Sequence, residues 1–261
     1  MKDVHSVSKG SGPVVLLLHG IGGSTASFCA QVDELAQTHR VVAWDAPGYA
    51  ASADPDAAPG LSGYATAVAD LVDDIGEAVH LVGASWGGVI ALQLAMQRRE
   101  MLRSLTLVAA SRGSGRDPEA ADRMRQRAER LREQGAEAFA RERAPRLLSP
   151  AAVPEQVEQV AIQMAADIRL PGYAYAVQSM AETDHSPRLA EVAVPTLVLC
   201  GTQDTVTGPE ESKALANGIP EAVYVSVEGG GHLLPQEKPT SVNTWISCFT
   251  HITRNTQRLY R

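Results

Sequence analysis

The run Gly83-Ala84-Ser85-Trp86-Gly87 sets a serine between two glycines, a pattern that can present a hydroxyl for nucleophilic attack. At average composition a chain of 261 residues meets that pattern by chance roughly one time in ten, so its setting decides. It directly follows the apolar run Val79-His80-Leu81-Val82 and opens the helical run Val89–Ala95. A serine at a strand-to-helix turn is held in a strained conformation with its hydroxyl exposed, and the glycines remove side chains that would collide there. The helix amino end also favours developing negative charge.

A serine hydroxyl is a poor nucleophile at neutral pH. A base must take its proton, and a third group must hold that base in the right tautomer. His232, in Gly229-Gly230-Gly231-His232-Leu233-Leu234-Pro235, lies just past the apolar run Val223–Val227. Asp204, in Gly201-Thr202-Gln203-Asp204, lies just past Thr196–Leu199. In open parallel sheets sites form at the carboxyl ends of strands, so Ser85, His232 and Asp204 are expected at one edge as nucleophile, general base and orienting acid. Asp45 also ends an apolar run and competes as the acid, but an aspartate there more often anchors its own loop. Ala109-Ala110-Ser111-Arg112, after the run Leu105–Val108, supplies no carboxylate. The oxyanion of a tetrahedral intermediate needs donors as well. The backbone N–H groups of Trp86 and of Ile21, the latter in His19-Gly20-Ile21-Gly22-Gly23, are the candidates, and glycines such as Gly20 let the backbone approach a substrate. His19 is expected to brace this loop.

The elements that must position these residues are short Val- and Leu-rich runs alternating with helical patterns, the signature of a parallel sheet wrapped by helices. The runs are Val14–Leu18, Arg40–Trp44, Val79–Val82, Leu105–Val108, Thr196–Leu199 and Val223–Val227, and such near-continuous apolar runs suit strands covered on both faces. His5–Ser8 is expected as an antiparallel edge strand. The alternation lapses between about Ser111 and Pro195, which predicts a helical cap over 112–194 inserted in a single domain spanning 1–261. Within it Val157, Val160, Ala161, Met164 and Ile168 recur at helical spacing. The arginine- and glutamate-rich stretch 123–143 reads as a solvated helix laced with i to i+4 pairs rather than a docking surface. Asp184 and His185 are expected to terminate the cap, and a last helix followed by a loose polar end is expected after Trp245.

With 44% hydrophobic residues the chain can bury a full core, and its net charge of -7 offers no broad attraction to nucleic acid or anionic lipid. Met1–His5 is not an apolar leader, and no segment has the roughly 18 uninterrupted apolar residues of a membrane span, so the expectation is a soluble, cytoplasmic protein. Cys29, Cys200 and Cys248 lack metal-ligand spacing and are expected to be free thiols, most of them buried, with no zinc. No residue pattern marks an oligomeric state.

Together with Asp45-Ala46-Pro47-Gly48-Tyr49-Ala50-Ala51-Ser52, and with Glu237 and Pro239 after the histidine, these motifs resemble the α/β-hydrolase superfamily from about Val4 to Phe249. The resemblance implies a mostly parallel central sheet with helices on both faces and an inserted helical cap, acting on a small molecule without a cofactor. Within the superfamily the chain looks closest to small bacterial esterases and lactonases of the 3-oxoadipate enol-lactonase kind and to carbon-carbon bond hydrolases of aromatic degradation. Pro171-Gly172-Tyr173 and Asp184, ahead of Val194-Pro195-Thr196, resemble the end of the lactonase cap. Ala50 stands where the family commonly has a second glycine, which implies a relaxed backbone or modest strain. Ala84 and Leu233-Leu234-Pro235 stand where hydrolases of ring-fission products carry Asn before the nucleophile and an aromatic after the histidine.

Met164, Ile168, Tyr173, Tyr175 and Met180 are candidates for an apolar pocket, although helical apolar positions more often serve the core. Arg112 and Arg169 are candidates to hold a substrate carboxylate, because guanidinium matches that group with two parallel hydrogen bonds. The leading expectation is hydrolysis of a small carboxylic ester or lactone through an acyl-enzyme. Two alternatives stand beside it: carbon-carbon bond hydrolysis of a β-diketone or ring-fission-type substrate, and a non-hydrolytic, ligand-binding member of the fold.

Overall fold

Seven strands join in one sheet in the computed structural model, which describes residues 4–259. They are β1 (Ser6–Lys9), β2 (Val14–Leu18), β3 (Arg40–Trp44), β4 (Val79–Ala84), β5 (Leu102–Val108), β6 (Thr196–Gly201) and β7 (Val223–Val227). Their order across the sheet is β1-β3-β2-β4-β5-β6-β7. Every pairing is parallel except that of β1 with β3, so the first strand is the antiparallel edge expected from His5–Ser8.

Successive side chains of a strand point to opposite faces, and the apolar runs therefore feed two layers. Val14, Leu16 and Leu18 of β2 join Leu81, Leu105 and Leu107 in one layer, beneath α2 (Gly60–Ile75) and α3 (Trp86–Gln97). Val15 and Leu17 join Val82 and Val108 in the other, beneath α1 (Cys29–Leu35) and the last helix (Pro239–Leu259). Coverage on both faces fails at β7, where Val223 is 46% exposed, because this strand ends the sheet and has only β6 beside it. The last helix reaches Leu259, so a loose polar end beyond it, like Met1 to Asp3, lies outside the described residues. Among the described residues no helix is long and apolar enough to cross a membrane. Cys200 is buried, but Cys29 and Cys248 are exposed, contrary to the expectation that most thiols are buried. Val242, Asn243 and Ile246 of this last helix turn inward, and Cys248 falls off that face.

Between β5 and β6 the chain forms α4 (Pro118–Arg143), α5 (Pro154–Asp167) and α6 (Gly172–Ala181) and no strand. Asp117 caps α4 by accepting the Glu119 N–H at 3.0 Å, with Pro118 in the first turn, where it costs no hydrogen bond. A kink at Gly135 (φ 77°, ψ 166°) divides this helix. Its outer face carries the ion pairs Arg123–Glu119, Arg125–Asp122 and Arg132–Glu129, while Ala121, Met124, Ala128 and Leu131 are buried.

Ala50 carries the strain that its replacement of a glycine suggested, with φ at +40°. Its N–H donates to the Asp167 carbonyl at 3.0 Å, and its carbonyl accepts from Arg169 Nη1 at 2.9 Å, so neighbours hold it there. The left-handed region costs an L-residue roughly 1–2 kcal/mol, whereas glycine loses roughly 0.4–1 kcal/mol more entropy on folding. The first effect wins. Ala50→Gly is expected to raise the melting temperature by about 1–2 °C in a thermal unfolding experiment. A lower melting temperature would show that the methyl group packs to greater benefit than the backbone is strained.

Candidate active site

Ser85 joins β4 to α3 with φ 52° and ψ −116°, a conformation that a non-glycine residue holds only when its surroundings impose it. The glycines around it are there for space. A Cβ on Gly87 would lie 2.2 Å from the Leu18 carbonyl oxygen, one on Gly83 2.4 Å from that of Gly87, and one on Gly88 2.5 Å from the Ala110 methyl. The turn can therefore press against β2 only without side chains. Trp86 is fully buried, and its indole N–H donates to Ser179 Oγ of α6 at 3.0 Å, so its side chain packs the turn from below and is no platform for a substrate.

Ser85 Oγ lies 3.0 Å from His232 Nε2, and His232 Nδ1 lies 3.2 and 3.1 Å from the two carboxylate oxygens of Asp204. Burial pushes the Asp204 carboxyl up. Its hydrogen bonds to His232, to the Thr207 hydroxyl and to the Val206 N–H overcome this and hold it at about 2. An ionised carboxylate only accepts, so Nδ1 carries the ring proton and Nε2 is left free to accept from the serine hydroxyl. This arrangement is one through which a proton could pass from Oγ to Nε2 while the oxygen attacks an electrophilic carbon.

Local backbone explains how His232 comes to stand there. A Cβ on Gly201, at the end of β6, would lie 2.1 Å from the Gly230 carbonyl oxygen, so the two loops bearing Asp204 and His232 meet at glycines. Glu237 then secures the histidine loop. Its Oε2 accepts the Gly231 N–H at 2.9 Å, and its Oε1 accepts the Ser149 N–H at 2.7 Å. The Leu233 N–H donates to the Leu147 carbonyl at 3.0 Å in the same region.

Ile21 and Trp86 both line the cavity in front of Ser85, and neither backbone N–H donates to a described protein acceptor. The Gly20 backbone comes so near that a Cβ there would sit 3.0 Å from Ser85 Cβ. His19 braces this loop. Its Nε2 accepts the Ala46 N–H at 2.9 Å and its Nδ1 donates to the Gly20 carbonyl at 2.8 Å. Burial lowers its pKa to about 4, so the ring stays neutral. Asp45 is committed elsewhere, accepting from the Thr25 N–H at 2.7 Å and pairing with His5 Nδ1 at 2.7 Å.

The cavity measures about 800 Å³, within the range of small-molecule sites. Of the pocket residues expected from sequence, Gly20, Met164 and Met180 line it. Ile168 and Tyr173 do not; both are buried in the core layer, as helical apolar positions usually are. Arg112 does not line it either, because Glu211 holds its guanidinium through two 2.9 Å hydrogen bonds. Arg169 is spent on Asp54 at 2.9 Å and on the Ala50 and Ser52 carbonyls. Arg127 and Arg143, which fall in the stretch 123–143 expected to face solvent, line the cavity instead, together with Arg116 and Arg123. Arg127 sits three residues after Met124 and four before Leu131, on the apolar side of α4, and that spacing was the available signal.

The model of the family described as alpha/beta hydrolase fold matches residues 13–239. A protein of Azorhizobium caulinodans named carbamate hydrolase RutD is 29% identical over 259 residues, covering 95% of this chain and 94% of that protein. The 3-oxoadipate enol-lactonase 2 of Acinetobacter baylyi is 26% identical over 235 residues, 88% of this chain and 86% of the enzyme. Among solved structures, a thermophilic esterase from Thermogutta terrifontis with malate bound superposes with a TM-score of 0.89 at 29% identity, covering 96% of this chain and 93% of that one.

Proposed function

The chain belongs to the α/β-hydrolase fold family, and on that premise we propose that it hydrolyses a small carboxylic ester or lactone through Ser85, His232 and Asp204. The observation that carries this reading is the 3.0 Å contact between Ser85 Oγ and a His232 Nε2 left free to accept by the carboxylate on the far side of the ring. Ser85 Oγ attacks the carbonyl carbon while its proton passes to Nε2. The carbonyl oxygen, now negative, is held by the N–H groups of Ile21 and Trp86. As the intermediate collapses, the alcohol oxygen leaves with the proton from Nε2, and the acyl group stays on Ser85. Water then attacks the acyl carbon with its proton passing to Nε2, and the acid departs as Oγ recovers that proton. Residues 112–194 act as the cap that encloses the acyl and alcohol parts.

The relatives named carbamate hydrolases favour a second reading with the same residues, in which the carbonyl attacked is that of a carbamate. Two measurements separate these readings and test the first. The purified protein is expected to react covalently with a fluorophosphonate probe at Ser85. It is also expected to cleave short-chain 4-nitrophenyl esters or a simple lactone with a larger kcat/KM than the matching O-alkyl carbamate. Absence of labelling at Ser85 would sink both readings, and a larger constant for the carbamate would replace the first by the second.

A further inference from the structure

The cavity is lined by four arginines and three carboxylates, and their pairing is uneven. Glu211 is held by Arg112 and by Arg116 at 3.0 Å. Asp117 caps α4 and faces Arg123 at 3.7 Å. Glu237 is taken by two backbone N–H groups. Neither Arg127 nor Arg143 makes an ion pair within 4 Å among the described residues, although the Arg143 charge is felt by Glu142 next to it in the chain. Arg143 stacks over the Phe139 ring, 5.9 Å from its centroid. Burial lowers the Arg127 pKa to about 10, and the like charge of Arg143 adds to it. A guanidinium withdrawn from water without a counter-charge is costly, and folds do not keep that cost where nothing offsets it.

Resting on the ester or lactone reading above, we propose that Arg127, supported by Arg143, is the specificity-determining site for a substrate carboxylate. The substrate is then an ester or lactone that carries a second, ionised carboxyl group away from the bond that breaks. The planar guanidinium can donate two parallel hydrogen bonds to such a group, and the Met124, Met164 and Met180 side chains offer apolar wall for the chain between the two ends. The positions chosen from sequence for this task, Arg112 and Arg169, are already neutralised by Glu211 and Asp54.

The test uses the full chain and two acyl groups of equal length, 4-nitrophenyl hydrogen adipate and 4-nitrophenyl hexanoate. Wild type is expected to favour the anionic ester in kcat/KM, and Arg127→Met to lower the ratio of the two constants at least 10-fold, with Arg143→Met lowering it less. Arg127→Met is also expected to melt no lower than wild type, since the substitution removes a half-buried charge that has no ion-pair partner within 4 Å. A ratio unchanged by Arg127→Met, or a lower melting temperature with both constants reduced in proportion, would overturn the proposal and make the arginine structural. Binding supplies a readout that survives failure of the hydrolytic reading. Calorimetry should detect adipate binding to Ser85→Ala and lose it in Ser85→Ala/Arg127→Met. Equal binding by the two proteins would overturn the carboxylate site even if esters are cleaved.

Discussion

Ser85→Ala is expected to lower kcat for 4-nitrophenyl acetate by about four to six orders of magnitude and to leave the melting temperature where it was. The size follows from what the proposed mechanism would lose: without Oγ no acyl-enzyme could form and His232 and Asp204 would have no proton to move, so the three groups would fail together rather than in proportion. Residual turnover by water attack is expected to stay above the uncatalysed rate, because the N–H groups of Ile21 and Trp86 are untouched. The fold is unaffected because alanine keeps the Cβ, and with it the same strain at φ 52°. Stopped-flow or discontinuous assays of the purified variant give the number. A loss of less than about tenfold would remove Ser85 from the reaction altogether.

Asp204→Asn comes second, with an expected loss in kcat of about four orders of magnitude. The side chain keeps its shape but reverses its hydrogen-bond polarity. An amide that donates toward Nδ1 forces the ring proton onto Nε2, and Nε2 then faces Ser85 Oγ as a donor that cannot accept. A second consequence appears in stability. The carboxyl is held below its usual 3.8, at about 2, so the stabilisation it contributes is complete above the usual value and is lost as pH falls toward 2. Urea unfolding of wild type between pH 5 and 2 should therefore lose stability more steeply than that of Asp204→Asn, which has no proton to bind at this position. Parallel curves would mean that Asp204 is ionised no more readily in the folded chain than in the unfolded one.

The sheet could be read from the chain because β-branched and leucine runs were bounded by glycine, proline and polar residues, and those runs mark β2, β3 and β7 to the residue. β5 begins three residues before its apolar run because Arg103 and Ser104 interrupt it, and Ser104 is satisfied by a 2.8 Å hydrogen bond to His80 on the neighbouring strand. Contacts of that kind have no local signature. The same holds at the site. Ser85, Asp204 and His232 each follow an apolar run, so topology alone brings them to one edge. Whether Ile168 and Tyr173 face a cavity or the core depends on how α5 and α6 lie on the rest, and helical spacing is identical in both cases. Arg112 and Glu211 are 99 residues apart, so composition could not reveal that they neutralise each other. Arg127 was concealed by its neighbours, since a stretch dense in arginine and glutamate reads as solvent-facing until the apolar positions around that one residue are counted.

Glu237 joins Gly231 on one side to Ser149 on the other, and Trp86 reaches across to Ser179. The segment between β5 and β6 is thus stitched to both the serine turn and the histidine loop. For protein engineering this sets a rule of exchange: the segment is not a detachable cassette. A chimera that takes this stretch from a relative must bring a backbone N–H to Glu237 and an acceptor to the Trp86 indole, or else leave Leu147–Ser149 and Ser179 in place. Grafts cut inside those anchors can vary the cavity wall freely, whereas cuts outside them would alter the enzyme's substrate range and its histidine geometry at the same time.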